Sequence, residues 1–237
     1  MKALLFAAGK GTRLKPFTDQ HPKALAMVNG KTLLQRNIEF LKSFGIKDFV
    51  INIHHFGQQI IDILKENDNF GVSVEISDER EELLETGGGL LFAKSFLEHE
   101  KDFLIMNVDI LTDLNITDLI EYHLQHNNFI TLAVSDRQSS RKLLFDQEML
   151  LQGWENKQTG AQKLVEGATH LQELAFSGIH CVSSDIFSKI KRKGKFSIMD
   201  EYLDMMHYER IVGFLHQAQL IDVGKPESIN IAENIFQ

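Results

Sequence analysis

Leu4 to Lys23 reads LLFAAGKGTRLKPFTDQHPK. The apolar run from Met1 to Ala8 has the pattern of a strand covered on both faces. It breaks at Gly9 and Gly11 into a loop that carries Lys10, Arg13, Lys15 and Lys23. Glycine has no Cβ, so backbone N–H groups there can approach a bulky anion and adopt positive φ. Arg13 adds a planar fork of donors suited to phosphate, and the lysines add mobile point charges. Together they predict a polyphosphate site at the end of the first strand. Two familiar phosphate loops fail on spacing: GxGxxG needs a glycine where Leu14 stands, and GxxxxGK[ST] does not occur. The plainer alternative is a basic loop that only joins strand to helix.

Outward from this loop the pattern is βαβαβ. Leu33, Leu34, Ile38, Phe40 and Leu41 fall at largely helical spacing before Gly45, and Asp48 to Ile53 reads as a buried strand. A helix over about 58–65 and a strand over 72–76 follow, which predicts a parallel sheet with helices on both faces. Ligands of such sheets bind beyond the carboxyl ends of the strands, where the opening loop lies. The strand from Asp102 to Val108 ends on Asp109, whose charge in that crevice requires a partner cation.

Leu83 to Ala93, LLETGGGLLFA, places three glycines before an apolar helix. Thr86 is the expected N-cap, and the glycines offer an open backbone that can lie against a planar ring. A flexible glycine-rich helix start is the alternative. Asp113 is the expected cap of the helix beginning near Ile116, with Asn115 or Thr117 able to substitute. A strand over 129–134 and a hairpin pairing 143–145 with 149–151 come next. Trp154 is expected in the core. In the strand AFSGIHCV, Ala175 to Val182, Gly178 marks close approach of a ligand or another backbone, while His180 is expected to be satisfied in the core. Ser197 is the expected cap of a helix through Met206. Leu220 to Glu227, LIDVGKPE, gives a short strand, a carboxylate, a glycine turn and a proline fit for the first turn of a closing helix.

The chain of 237 residues, 43% hydrophobic, can bury a large core and fits one domain spanning 1–237. The net charge is −8, and the cations are dispersed apart from the opening loop and the run Lys189 to Lys195, which is expected to be solvated. That balance argues against a nucleic-acid partner. Cys181 is the only cysteine, so no disulfide can form within the chain; it is expected to be a buried small hydrophobe, and a cytoplasmic location fits. No signal peptide is expected, and no apolar run approaches the roughly 18 residues that would cross a membrane. The histidines show no HxH or HExxH zinc spacing.

Phe6-Ala7-Ala8-Gly9-Lys10-Gly11-Thr12-Arg13-Leu14-Lys15-Pro16-Phe17-Thr18, followed by His21-Pro22-Lys23, resembles the opening motif of sugar-1-phosphate nucleotidylyltransferases, LxxGxGxRLxPLTxxxPKP. Ala24 departs from it, standing where the pattern usually has proline. Glu85-Thr86-Gly87-Gly88-Gly89 is similar to the segment that contacts the nucleobase, and its form is closest to the N-acetylmuramate-1-phosphate uridylyltransferases and their hexose-1-phosphate relatives.

The resemblance implies a Rossmann-like three-layer α/β sandwich of the nucleotide-diphospho-sugar transferase type, with a mostly parallel central sheet and a small β-rich sugar-binding part. Residues 1–135 would form the nucleotide half and 136–237 the sugar-phosphate half. It implies nucleotide contacts from Ala7, Ala8, Gly9, Gly11, Thr12, Arg13, Thr86, Gly87 and Gly88, with Arg13 and Lys23 catalytic. Asp109 and Asp222 would hold Mg²⁺. Asn156, standing at a usual glutamate position, with Ser177 and Gly178, would contact the sugar. The implied partners are an NTP and a sugar 1-phosphate, acting on a monomer or small homo-oligomer. Open alternatives are mannose-1-phosphate guanylyl transfer, cytidylyl transfer to phosphocholine or a similar alcohol phosphate, and a non-catalytic nucleotide-sugar sensor.

Overall fold

Strand β1 (Ala3–Phe6) leads through the long opening loop into the ribbon β2 (Met27–Val28) and β3 (Lys31–Thr32), then helix α1 (Leu33–Ser43). There follow β4 (Asp48–Ile53), α2 (Gly57–Glu66), β5 (Ser73–Asp78), α3 (Glu85–Phe92), α4 (Lys94–Leu97) and β6 (Asp102–Asn107). Next come β7 (Ile110–Thr112), α5 (Ile116–Gln125), β8 (Ile130–Ser135), β9 (Arg141–Phe145), β10 (Leu151–Asn156) and β11 (Gln162–Leu164). The long β12 (Gln172–Ser183), α6 (Ile186–Lys189), α7 (Ile198–Met205), β13 (Ile211–Leu215), β14 (Leu220–Asp222) and α8 (Pro226–Ile235) complete the order. The computed structural model describes residues 1–236.

The spine of the sheet runs β5-β4-β1-β6-β12-β8-β13, with β12 alone antiparallel to its neighbours. Alternation along the strands sorts the core into two layers. Ala3, Leu5, Phe49, Ile51, Leu104 and Met106 pack with residues of α1, α2 and α5 on one face, while Leu4, Phe6, Val50, Phe103 and Ile105 pack with α3, α4 and α7 on the other. This is the expected three-layer architecture. The N-terminal part of β12 pairs with β9, and β9, β10 and β11 continue as an antiparallel annex. A third cluster, including Leu14, Val28, Leu111, Val223 and Ala232, packs α8 under the opening loop.

Several local expectations change. Asn115, not Asp113, caps α5: its Oδ1 accepts from Thr117 N at 3.0 Å, and Asp113 instead accepts from Gln219 N at 2.8 Å. The triple glycine lies inside α3, which begins at Glu85, and Thr86 caps not this helix but another: its hydroxyl accepts from Ile198 N, at the first residue of α7, at 2.9 Å. The three glycines are buried rather than open. A Cβ at Gly87 would lie 2.2 Å from the Phe196 ring, and one at Gly88 2.2 Å from the Gly194 carbonyl oxygen. Their absent side chains let α3 press against the segment before α7. That segment carries the basic run, in which Lys191, Lys193 and Lys195 are exposed as expected, while Arg192 meets Asp204 and Glu201, and Lys189 meets Glu209.

Candidate active site

The opening loop folds back over its own last cation. Gly11 has φ +59, and a Cβ there would fall 2.9 Å from both Lys23 Cβ and Thr18 Cγ2. Only glycine combines that left-handed conformation with so close an approach. Lys23 beneath it is 7% exposed, and its Nζ pairs with Asp109 and lies 3.8 Å from Asp222 Oδ1. An ammonium so deeply placed persists only with such partners. Arg13 Nη2 lies 3.6 Å from Asp222 Oδ2 and stays exposed.

Two pieces of β-structure bring the aspartates together. Asp109 follows β6, where the buried Asn37 amide of α1 donates to the Val108 carbonyl at 2.7 Å. Strand β14 pairs antiparallel with β7, setting Asp222 opposite Ile110, and Val223 N donates to Asp109 O at 2.8 Å. Residues far apart in sequence thereby share one cation.

At the end of β1 the N–H groups of Ala7 and Ala8 donate to Asn52 Oδ1 at 2.6 and 3.2 Å. The Asn52 amide in turn donates to Glu79 Oε1 at 2.9 Å, so Asn52 is fixed from both sides. Burial raises the Glu79 carboxyl above its ordinary pKa, with the Asn52 bond acting in the opposite direction. The next N–H groups, Gly9 to Gly11, have no acceptor among the described residues and remain available to an anion.

Two adjoining cavities open at the strand ends. The first, about 330 Å³, is lined by Ala8, Gly9, Asn52, Leu83 and Glu85; the second, about 260 Å³, by Asn107, Arg141, Leu143, Trp154, Phe176, His180 and Met199, among others. Phe6, Thr86 and Ser197 border both. Trp154, half-buried and packed against the core, is also part of that cavity wall, and Ser197, which makes no cap bond, is part of the partition.

Of the residues singled out in the sequence, Arg13, Lys23, Asp109 and Asp222 form one cluster, and Ala8, Gly9 and Thr86 line the first cavity. Thr12 lies in the short turn that carries Arg13. Ala7 is engaged by Asn52, and Gly87 and Gly88 lie under the Phe196 segment. The three sugar-side residues stand apart from the cavity linings. Asn156 Oδ1 accepts from Gln158 N at 3.0 Å and holds the β10–β11 turn. Ser177 is fully buried and hydrogen-bonds His216 Nε2 at 2.8 Å. Gly178, φ +76, packs against Ile110 and the Asn107 amide behind the second cavity.

His180 corrects the satisfied-core reading. It is 1% exposed and neither ring nitrogen has a partner. Burial pushes its pKa down to about 3, so the ring is neutral. Cys181 is fully buried as expected, and burial raises its thiol pKa. Asn52, Arg141 and Phe176 escaped sequence reading, and Ser197 was read only as a helix cap. A polar residue within the apolar run FVINI was the one signal for Asn52.

A mostly parallel sheet with a glycine- and cation-rich loop after β1, and two carboxylates sharing a lysine beside it, defines an α/β protein with one charged site at its strand ends. The model of the nucleotidyl transferase family matches residues 2–235, and the chain belongs to that family. It is 41% identical over 117 residues, 49% of the chain and 50% of the relative, to N-acetylmuramate alpha-1-phosphate uridylyltransferase of Neisseria meningitidis serogroup B. It is 33% identical over 137 residues, 57% of the chain and 37% of the relative, to mannose-1-phosphate guanyltransferase of Gibberella zeae. The chain thus spans half or less of the length of these two relatives. The fold matches the crystal structure of HddC from Yersinia pseudotuberculosis complexed with GMP-PN, with a TM-score of 0.80 at 23% identity, covering 100% of this chain and 99% of that one.

Proposed function

We propose that the protein transfers a nucleotidyl group from an NTP, with UTP preferred, to the phosphate of an N-acetylmuramate- or hexose-like sugar 1-phosphate, releasing pyrophosphate. The observation that carries this reading is the convergence of Arg13, Lys23, Asp109 and Asp222 beside the free N–H groups of the opening loop. Displacement at phosphorus asks the protein for alignment and charge neutralisation rather than covalent chemistry. Arg13 grips the outer phosphates and stabilises the leaving pyrophosphate; Lys23 neutralises the α-phosphate as charge develops. The phosphate nucleophile is already ionised and needs no general base.

Asp109 and Asp222 fit Mg²⁺. Their hard oxygens already share one cation, the Lys23 ammonium, and the two carboxylates would hold the ion beside the proposed phosphate site. Bound there, Mg²⁺ supplies charge neutralisation on the phosphates.

The sugar preference draws support from the second cavity, whose lining includes the cation Arg141 and no carboxylate. Such a wall suits a sugar with an anionic substituent, as N-acetylmuramate has, and the Neisseria relative points the same way. Guanylyl transfer to mannose 1-phosphate is the second reading, favoured by the Gibberella relative, which matches a longer stretch of the chain. No helix among the described residues is long and apolar enough to cross a membrane, which agrees with the proposed cytoplasmic site of action. The test is pyrophosphate release with Mg²⁺ across a matrix of NTPs and sugar 1-phosphates. The highest kcat/KM is expected for UTP with N-acetylmuramate 1-phosphate, and no turnover with any pair refutes the proposal.

A further inference from the structure

His180 occupies an unusual position for a buried histidine. It lies on β12 where that strand slips against β8: Phe176 pairs with Val134 and His180 with Leu132, so β12 carries two extra residues between the same points. Gly178, in the left-handed region, takes up the excess. Because the insertion is even, Phe176 and His180 stay on one face, and both line the second cavity.

The ring is held by shape alone. Phe176 lies 5.4 Å and Tyr202 5.6 Å from it, centroid to centroid, both with tilted, edge-type geometry. Neither ring nitrogen is hydrogen-bonded, and burial keeps the imidazole uncharged. A neutral imidazole presents one N–H donor and one lone pair. Leaving such groups desolvated and unmet is costly. His180 borders the second cavity with both nitrogens covered, so a ligand there reaches them only as that wall shifts.

We propose that His180 is a specificity-determining residue that hydrogen-bonds an uncharged polar substituent of the sugar, a hydroxyl or an N-acyl amide, in the second cavity. This rests on the nucleotidyl-transfer reading above and adds to it the group that reads the sugar ring. A site built to hydrogen-bond such a substituent rejects the analogue lacking it, because the protein group is then left unpaired.

The experiment compares wild type with His180→Phe, which keeps a ring of similar breadth and removes both polar atoms. Steady-state kinetics are measured on N-acetylmuramate 1-phosphate, N-acetylglucosamine 1-phosphate, glucose 1-phosphate and deoxy analogues lacking one hydroxyl each. The variant should raise KM for the best sugar 1-phosphate about tenfold or more, the scale of one lost buried hydrogen bond, with KM for the NTP and kcat within about twofold of wild type. The sugar analogue missing the recognised substituent should be poor for wild type and no poorer for the variant, a non-additive pair. An unchanged sugar KM overturns the inference while wild-type turnover leaves the nucleotidyl-transfer reading standing; absence of wild-type turnover overturns both. Should His180→Phe fail to fold, ¹⁵N resonances of the His180 ring in wild type, saturated with a non-hydrolysable UTP analogue, decide the matter. They should shift on adding the sugar 1-phosphate. Unmoved resonances mean that the nitrogens serve only a structural water, shared for instance with the unpaired Tyr202 hydroxyl.

Discussion

The two ends of the crevice treat their polar groups in opposite ways. At the end proposed for the phosphates the buried charge is already matched: Lys23 is shared by Asp109 and Asp222, and Arg13 leans on Asp222. At the sugar end the groups are left open, with no partner for either His180 nitrogen and no carboxylate in the wall beside Arg141. The contrast follows from the magnitudes. A buried full charge cannot wait unpaired for a substrate, whereas an unmet neutral donor costs only a few kcal/mol and can wait. The phosphate end is thus preorganised by its own ion pairs, and the sugar end by packing.

Lys23→Ala attacks that contrast most strongly. On the proposed role of Lys23 at the transferring phosphate, its removal should lower kcat by about 10²–10³-fold. It also strips Asp109 and Asp222 of their shared ammonium, so the metal-free variant should melt lower than wild type and regain more stability than wild type does when Mg²⁺ is added. A loss in kcat below tenfold would show that the paired lysine is structural only.

Ser177→Ala sharpens the other side. Because Ser177 spends its hydroxyl on His216 behind the cavity, the change should reduce stability by about 1–3 kcal/mol through an unmet buried partner, while KM for the sugar stays put. Urea unfolding and steady-state kinetics measured together check this. A raised sugar KM at unchanged stability would return Ser177 to the sugar site.

The smallest effect belongs to Glu79, which steadies Asn52 at the end of β1. Burial raises its pKa, so the native state keeps this proton to higher pH than the unfolded chain does. Its contribution to stability is full below the ordinary value of 4.5 and declines as pH rises through the raised native value. Glu79→Gln preserves the size of the side chain and should flatten that part of the stability curve, read from urea midpoints between about pH 4 and 8. An unaltered slope would show that Glu79 does not titrate as its burial demands.

The same division explains what could be read from the sequence. The sheet followed from buried apolar runs separated by amphipathic helices, and Asp109 and Asp222 were visible because a carboxylate at the end of a buried strand has few structural reasons to be there. The sugar end depends on contacts that no local pattern records. Thr86 looked like a cap because it precedes glycines, yet its partner is Ile198 N, 112 positions away. Gly87 and Gly88 looked open because the segment of Gly194 and Phe196 that covers them lies in another part of the chain, as do Asn52 and Glu79, which cover Gly89. His180 looked satisfied because the residues that surround its ring, Phe176 across the strand slip and Tyr202 of α7, offer it no hydrogen bond, and such neighbours are not visible in the strand alone.

The central claim is that the acidic pair and the opening loop form one nucleotidyl-transfer site. Pyrophosphate release by Asp109→Ala and Asp222→Ala, each compared with wild type under saturating Mg²⁺, UTP and N-acetylmuramate 1-phosphate, tests it most directly. Each variant should remain folded and lose kcat by about 10²-fold or more, in keeping with the removal of a group that holds charge at the reacting phosphate. Wild-type-like turnover in either variant would contradict the account.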